Sequence, residues 1–141
     1  MTDWNQRFMD LAKHVASWSK DPSTQVGDVI VNDKKQVISM GYNGFPRGVR
    51  DCQERYKDKA TKLSFVAHAE RNALDNAFND VEGATLYSTL YPCSDCAKGI
   101  IQRGIKTVVT SKEWYDRQAQ LFNFETSKIM FEEADVEVVL L

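Results

Sequence analysis

The stretch GATLYSTLYPCSDCAKGIIQRGIKTVVTS, residues 83–111, decides the fold. GATLYSTLY is rich in β-formers, Pro92 stops it, CSDCAKGIIQRG opens a short helix ending near Gly104, and IKTVVTS returns to strand character. Strand, helix and strand in immediate succession predict a right-handed crossover and parallel pairing. Downstream, a helix over residues 116–133 leads into DVEVVLL, a further strand. Upstream, Trp4, Phe8, Leu11, Ala12, Val15 and Trp18 recur at spacings of three and four, which predicts a helix with one core face. KDPSTQ ends it in a turn, and VGDVIV and VISMGY form a hairpin or tight meander around NDKKQ. NGFPRGVRDCQERYKDKATKLS has little periodicity and reads as a long connection of the functional kind. From Phe65 to Phe78 the chain reads as helix.

The bulk composition fits one α/β domain over residues 1–141: 43% hydrophobic, 27% charged, seven glycines and three prolines. A net charge of −2 argues against a polymeric nucleic acid as partner, because such proteins gather cations to displace counterions from phosphates. The amphipathic N-terminus carries Asp3 and Asp10 and lacks the apolar run of a signal peptide, and nothing is long enough to span a membrane. A cytoplasmic protein is expected. Three cysteines, two of them in a tight pair, point to metal or redox chemistry rather than a disulfide scaffold.

Cys93 and Cys96 stand three apart at a helix start, where the dipole and free N–H groups favour thiolate over thiol. Taken alone, C-x-x-C serves as a redox couple or half a zinc ribbon, and a histidine in a helix as a core residue. Together with His68 the two sulfurs make a set of three donors, the count that leaves tetrahedral zinc (Zn2+) one open position. Glu70 follows His68 by two residues, and a buried acid there needs a partner, a proton or a metal. A carboxylate beside an open zinc position is a proton shuttle for hydrolysis. H-x-E followed by P-C-x-x-C is the signature of zinc-dependent deaminases. Cys52 and His14 have no motif spacing to either cluster, so one metal is expected.

SKDPSTQVG, GYNGFPRGV, HAERNA, TLYSTLYPCSDCA and IIQRGIKTVV together resemble the deoxycytidylate (dCMP) deaminases of the cytidine deaminase superfamily, over nearly all of the chain to about residue 111. That resemblance implies a three-layer α/β/α fold with a five-stranded mixed sheet. It also implies hydrolysis of dCMP to dUMP and ammonia in dTMP-precursor synthesis, a homohexamer, activation by dCTP and inhibition by dTTP. His68, Cys93 and Cys96 match the family's zinc ligands and Glu70 its proton shuttle. Asn43 matches the asparagine that bonds the nucleoside sugar; its other reading is turn chemistry, since Asn-Gly is a common turn pair.

For the 5′-phosphate the candidates are Arg47, Arg50, Lys20, Ser23, Thr24 and Arg117, each of which is also an ordinary solvated side chain. Tyr115 is a cover for the base or a packing residue. Gly41, Gly44 and Gly48 with Arg47, Arg50, Arg55 and Lys57 suit a regulatory triphosphate carrying magnesium (Mg2+), or a solvated loop over the site. Asp28 departs from the family's usual alanine after Val26-Gly27, at the expected pocket wall, which bears on base preference, including a modified deoxycytidine nucleotide. A tRNA adenosine deaminase shares the metal signature, but a shorter loop and a more basic surface are expected of it than this chain's pI near 5.7. A zinc-stabilised interaction module would need neither Glu70 nor an open position.

Overall fold

Buried strand residues here alternate between two apolar faces, and each face carries its own helices. The structure, a computed structural model, describes residues 3–118 and 124–141. Five strands, β1 (Gly27–Val31), β2 (Val37–Tyr42), β3 (Thr85–Ser88), β4 (Thr107–Thr110) and β5 (Glu137–Leu140), form one sheet in the order β2-β1-β3-β4-β5. β1 pairs antiparallel with β2 and β3, while β3, β4 and β5 run parallel as the crossover pattern predicts. On one face lies α1 (Trp4–Ala16), whose Phe8, Met9, Ala12 and Val15 bury against Val29, Val31, Tyr87 and Val109. On the other, Ile30, Leu86 and Val108 meet α4 (Ala69–Asn76), α5 (Ser94–Gln102) and α7 (Glu125–Glu133) through Ala73, Leu74, Ala97, Ile100 and Phe131. The result is the three-layer fold, and among the described residues no helix is long and apolar enough to cross a membrane.

Three elements differ from the sequence reading. The charged connection after β2 contains two short helices, α2 (Gln53–Lys57) and α3 (Lys59–Phe65). They are held by contacts between residues far apart in sequence: Phe45 stacks on Tyr56 with centroids 4.3 Å apart, and Arg55 lies 4.3 Å over the Phe65 ring. Lys62, 9% exposed, donates to Asp21 Oδ1 at 3.1 Å across 41 residues of sequence. The helix expected from Phe65 starts only at Ala69, because Ala67 turns its backbone to Gly44 in a two-way bridge of 2.8 and 3.1 Å. The helix expected over residues 116–133 is two, α6 (Lys112–Gln118) and α7, with residues 119–123 outside the described residues.

α4 sits unusually close to the sheet, and Gly41 is the reason. A Cβ there would come 2.6 Å from the Ala69 carbonyl oxygen and closer still to the Ala73 nitrogen. Asn72 locks the approach by donating to the Tyr42 carbonyl at 2.8 Å. Gly41 is therefore a packing glycine under α4 rather than one facing an anion. Gly41→Ala should push α4 outward, costing about 1–3 kcal/mol of stability for overpacking and lowering the zinc held per chain. Urea denaturation with metal analysis reads both; unchanged stability and zinc content would contradict the tight approach.

Candidate active site

The first turns of α4 and α5 point at one place. His68 is the N-cap of α4 and Cys93 that of α5, both with extended backbone, and neither uses its side chain to cap its own helix. Instead His68 Nδ1 lies 3.5 Å from Cys93 Sγ and 3.3 Å from Cys96 Sγ. The three donor atoms all fall within 4.8 Å of one another, the one such group of metal-binding type among the described residues. His14 packs edge-on to Trp18 and Cys52 begins α2, so neither joins it.

The donors divide their protons unequally. The Cys93 thiol falls to about 4, chiefly through the hydrogen bond from Cys96 and also from His68. Cys96 is pushed up, first by its bond to Cys93 and then by burial, and the Cys93 hydrogen bond raises His68. A shared proton leaves only one sulfur ionised, whereas a borderline-soft divalent cation accommodates both thiolates and the imidazole. Two sulfurs and one ring nitrogen at these separations fit zinc. Both helix N-termini add partial positive charge beside the thiolates.

Glu70 lies in the first turn of α4 and is only 4% exposed. Its Oε1 is 3.0 Å from Ser88 Oγ at the end of β3. Ser88 Oγ is also 2.8 Å from Asp28 Oδ1 and 2.8 Å from the Leu90 carbonyl oxygen. Asp28, Ser88 and Thr110 are register partners across β1, β3 and β4 and form a buried polar row across the sheet. Asp28 is 0% exposed and lies behind Glu70, not on an open pocket wall. Burial first, and then the Glu70 charge, push its carboxyl well above the usual carboxylate range.

Asn43 is brought beside the site by the Gly44–Ala67 bridge, one residue from His68. Its side chain stitches the chain: Oδ1 accepts from the Val26 N–H at 2.9 Å and Nδ2 donates to the Thr24 carbonyl at 2.9 Å. Ser23 lies in the turn formed as Asp21 Oδ1 accepts from the backbone N–H groups of Ser23 and Thr24. Arg47 is not gathered to the donors: it donates to Asn76 Oδ1 at 2.8 Å, at the opposite end of α4. Lys20 pairs with Asp51 at 2.7 Å, and the Arg50 carbonyl accepts from Arg55. Arg117 covers Trp114. Tyr115, midway along α6, packs 5.2 Å from Tyr91 and stacks on Phe124. A cleft of about 470 Å3 between α4 and α5 reaches His68 and Cys96 past Arg71, Leu74, Gly99 and Arg103, with neither Glu70 nor Asn43 in its walls.

Sequence reasoning missed Ser88, a strand serine inside TLYSTLYPCSDCA that stands apart from the metal-donor spacing, and the Asp21–Lys62 pair, which joins distant segments. Asp28 did leave a signal, an acid inside the apolar run VGDVIV.

An α/β/α sheet with two helix starts converging on a His-Cys-Cys donor set defines the zinc-site deaminase class. The profile of the cytidine and deoxycytidylate deaminase zinc-binding region matches residues 2–112, and the chain belongs to that family. It is 39% identical over 142 residues to an uncharacterised deaminase in the luxG 3′ region of Aliivibrio fischeri, covering all of this chain and 95% of that one. To the deoxycytidylate deaminase of Homo sapiens it is 42% identical over 119 residues, 80% of this chain and 67% of that protein. In structure it resembles the apo dCMP deaminase of cyanophage S-TIM5, with a TM-score of 0.73 and 26% identity over 97% of this chain and 96% of that one.

Cys93→Ala should lose zinc, since two protein donors hold the ion far more weakly than three, while Cys52→Ala should keep it. Metal analysis of both purified variants is the check; zinc retained by Cys93→Ala and lost by Cys52→Ala would assign the site to other donors.

Proposed function

We propose that this chain hydrolyses dCMP to dUMP and ammonia, with His68, Cys93 and Cys96 holding one zinc and Glu70 moving the proton. The observation that carries this is the buried Glu70 carboxylate beside three mutually adjacent donors, in a chain 42% identical to a deoxycytidylate deaminase. Bound zinc lowers the pKa of water to about 7 and so supplies hydroxide at neutral pH. Glu70 Oε takes up the proton that the water gives off and delivers it to the ring nitrogen next to the amino-bearing carbon. A C–O bond forms at that carbon, its C–N bond breaks, and the amino group leaves as ammonia after receiving the second water proton through Glu70.

The remaining residues bind. Asn43 Oδ1 has a second lone pair beyond the one given to Val26, enough to accept from a sugar hydroxyl. Ser23, in the turn at residues 21–24, and the loop cations Arg47 and Arg50 are the phosphate partners, and each must rearrange or extend to reach it. Tyr115 covers the base from α6, which begins just after Thr110, the strand neighbour of Ser88. The chain acts as one cytoplasmic domain in a homohexamer that supplies dUMP for dTMP synthesis. dCTP with Mg2+ raises its activity and dTTP lowers it, through the loop of Gly44, Gly48 and Arg50. Gly48 has φ +80°, a conformation that bulky residues avoid. Control of this kind requires each triphosphate to prefer one state of the hexamer.

One set of ammonia-release assays tests the reading. Glu70→Ala should keep its zinc and lose about 10²–10⁴-fold in turnover. dCMP should be preferred to deoxycytidine by at least about tenfold in kcat/KM, since each charge-assisted phosphate bond contributes about 1.5–3 kcal/mol. The dCMP curve should be sigmoidal, turning hyperbolic with dCTP and flatter with dTTP. Equal rates on nucleoside and nucleotide would move the enzyme to nucleosides, and a hyperbola indifferent to both triphosphates would remove the regulation.

A further inference from the structure

We propose that Asp28 is a positioning residue for the deamination: as a neutral carboxylic acid it donates to Ser88 Oγ, which donates its own proton to Glu70 Oε1 and so fixes the catalytic carboxylate. This rests on the reading of Glu70 as the proton carrier.

A serine hydroxyl has one proton and two lone pairs. Ser88 Oγ has three oxygens at hydrogen-bond distance: Asp28 Oδ1 at 2.8 Å, Glu70 Oε1 at 3.0 Å and the Leu90 carbonyl at 2.8 Å. The carbonyl only accepts, and an ionised carboxylate only accepts. With both acids ionised, three acceptors would compete for one proton, and two of the short contacts would set lone pair against lone pair. At least one carboxyl must carry a proton toward Ser88.

Position decides which one. Glu70 stands in the first turn of α4, where free N–H groups and the helix dipole favour an anion. Asp28 stands mid-sheet, 0% exposed, its Oδ2 without a hydrogen-bond partner among the described residues. An anion buried that way and facing a second carboxylate is far costlier than the neutral acid. The proton therefore belongs on Asp28, and the chain of donors runs from Asp28 through Ser88 to Glu70. The two acceptors left, the Glu70 carboxylate and the Leu90 carbonyl, share the Ser88 proton in a bifurcated bond whose charge-assisted arm, to Glu70, is the stronger. The consequence is a carboxylate held from behind in one orientation, with its other oxygen directed to the chemistry.

The test uses the zinc-loaded protein and variants that separate a neutral donor from a charge. Asp28→Asn keeps a donor of the same shape and should retain kcat within an order of magnitude. Asp28→Ala should lose about 10- to 100-fold in kcat, the usual scale for supporting residues around a metal site, with KM and zinc content unchanged. Ser88→Ala should lose as much, and the double variant no more, since both act through one chain of bonds. Infrared spectroscopy without substrate should show a protonated-carboxyl C=O band at neutral pH that Asp28→Asn abolishes. An Asn variant as damaged as the Ala variant, or no such band in the wild type, would show that Asp28 works as an anion and overturn the proposal. Additive losses at Asp28 and Ser88, or full turnover in Asp28→Ala, would also overturn it. If the wild type shows the band but deaminates no cytosine nucleotide, the deaminase reading fails while the Asp28–Ser88–Glu70 arrangement stands. Should Asp28→Ala fail to fold, the Asn variant and the infrared band still decide.

Discussion

Negative charge crowded into a small volume that runs from the half-exposed Cys93 to the buried Cys96 and Glu70 is the constraint on which this structure turns. Two thiols and a carboxylate lie close together, and like charges at that range disfavour ionisation of all three without something positive among them. The protein meets the constraint in two ways. It aims the N-termini of α4 and α5 at the cluster, and it groups the donor atoms of His68, Cys93 and Cys96 within 4.8 Å of one another, close enough for one divalent cation to reach all three. The acids behind them are handled separately, through a serine and a proton rather than a metal.

The rest of the fold serves that meeting. β3 feeds α5 through Pro92, so Cys93 and Cys96 arrive at the end of the sheet where Ser88 stands. α4 lies beside α5 on the same face, with Gly41 removing the side chain that would hold it away and Asn72 bonding it to the end of β2. The Gly44–Ala67 bridge then places Asn43 beside His68. α2 and α3, fastened by the Phe45–Tyr56 stack and the buried Lys62–Asp21 pair, tie the charged loop to the turn before β1. Loop, turn and metal donors thus share one neighbourhood although they come from four separate parts of the chain.

Much of this was legible in the sequence, for identifiable reasons. The parallel half of the sheet followed from strand, helix and strand alternation, and the metal donors from H-x-E and P-C-x-x-C, patterns in which chemistry dictates spacing. The helices of the charged loop were not legible, because α2 and α3 are short and owe their stability to contacts with Phe45 and Asp21 rather than to a local period. The start of α4 was misplaced by four residues because Phe65 closes α3 and the next three residues are extended, with Ala67 paired to Gly44. The partners of Glu70 were hidden for a similar reason: Asp28 and Ser88 are 60 residues apart and meet only through strand register. The bond from the Arg47 guanidinium to Asn76 at the far end of α4 was equally hidden, because it joins residues 29 apart that share no local pattern.

The central claim is that three protein donors hold a zinc whose fourth position is left open to chemistry. X-ray absorption at the zinc edge measures this directly by counting the neighbours of the metal. The account predicts two sulfurs at about 2.3 Å with nitrogen or oxygen scatterers at about 2.0–2.1 Å, of which a single one shows the outer-shell pattern of an imidazole. A third sulfur or a second imidazole would mean that Cys52 or His14 closes the shell, and would make the zinc a structural ion.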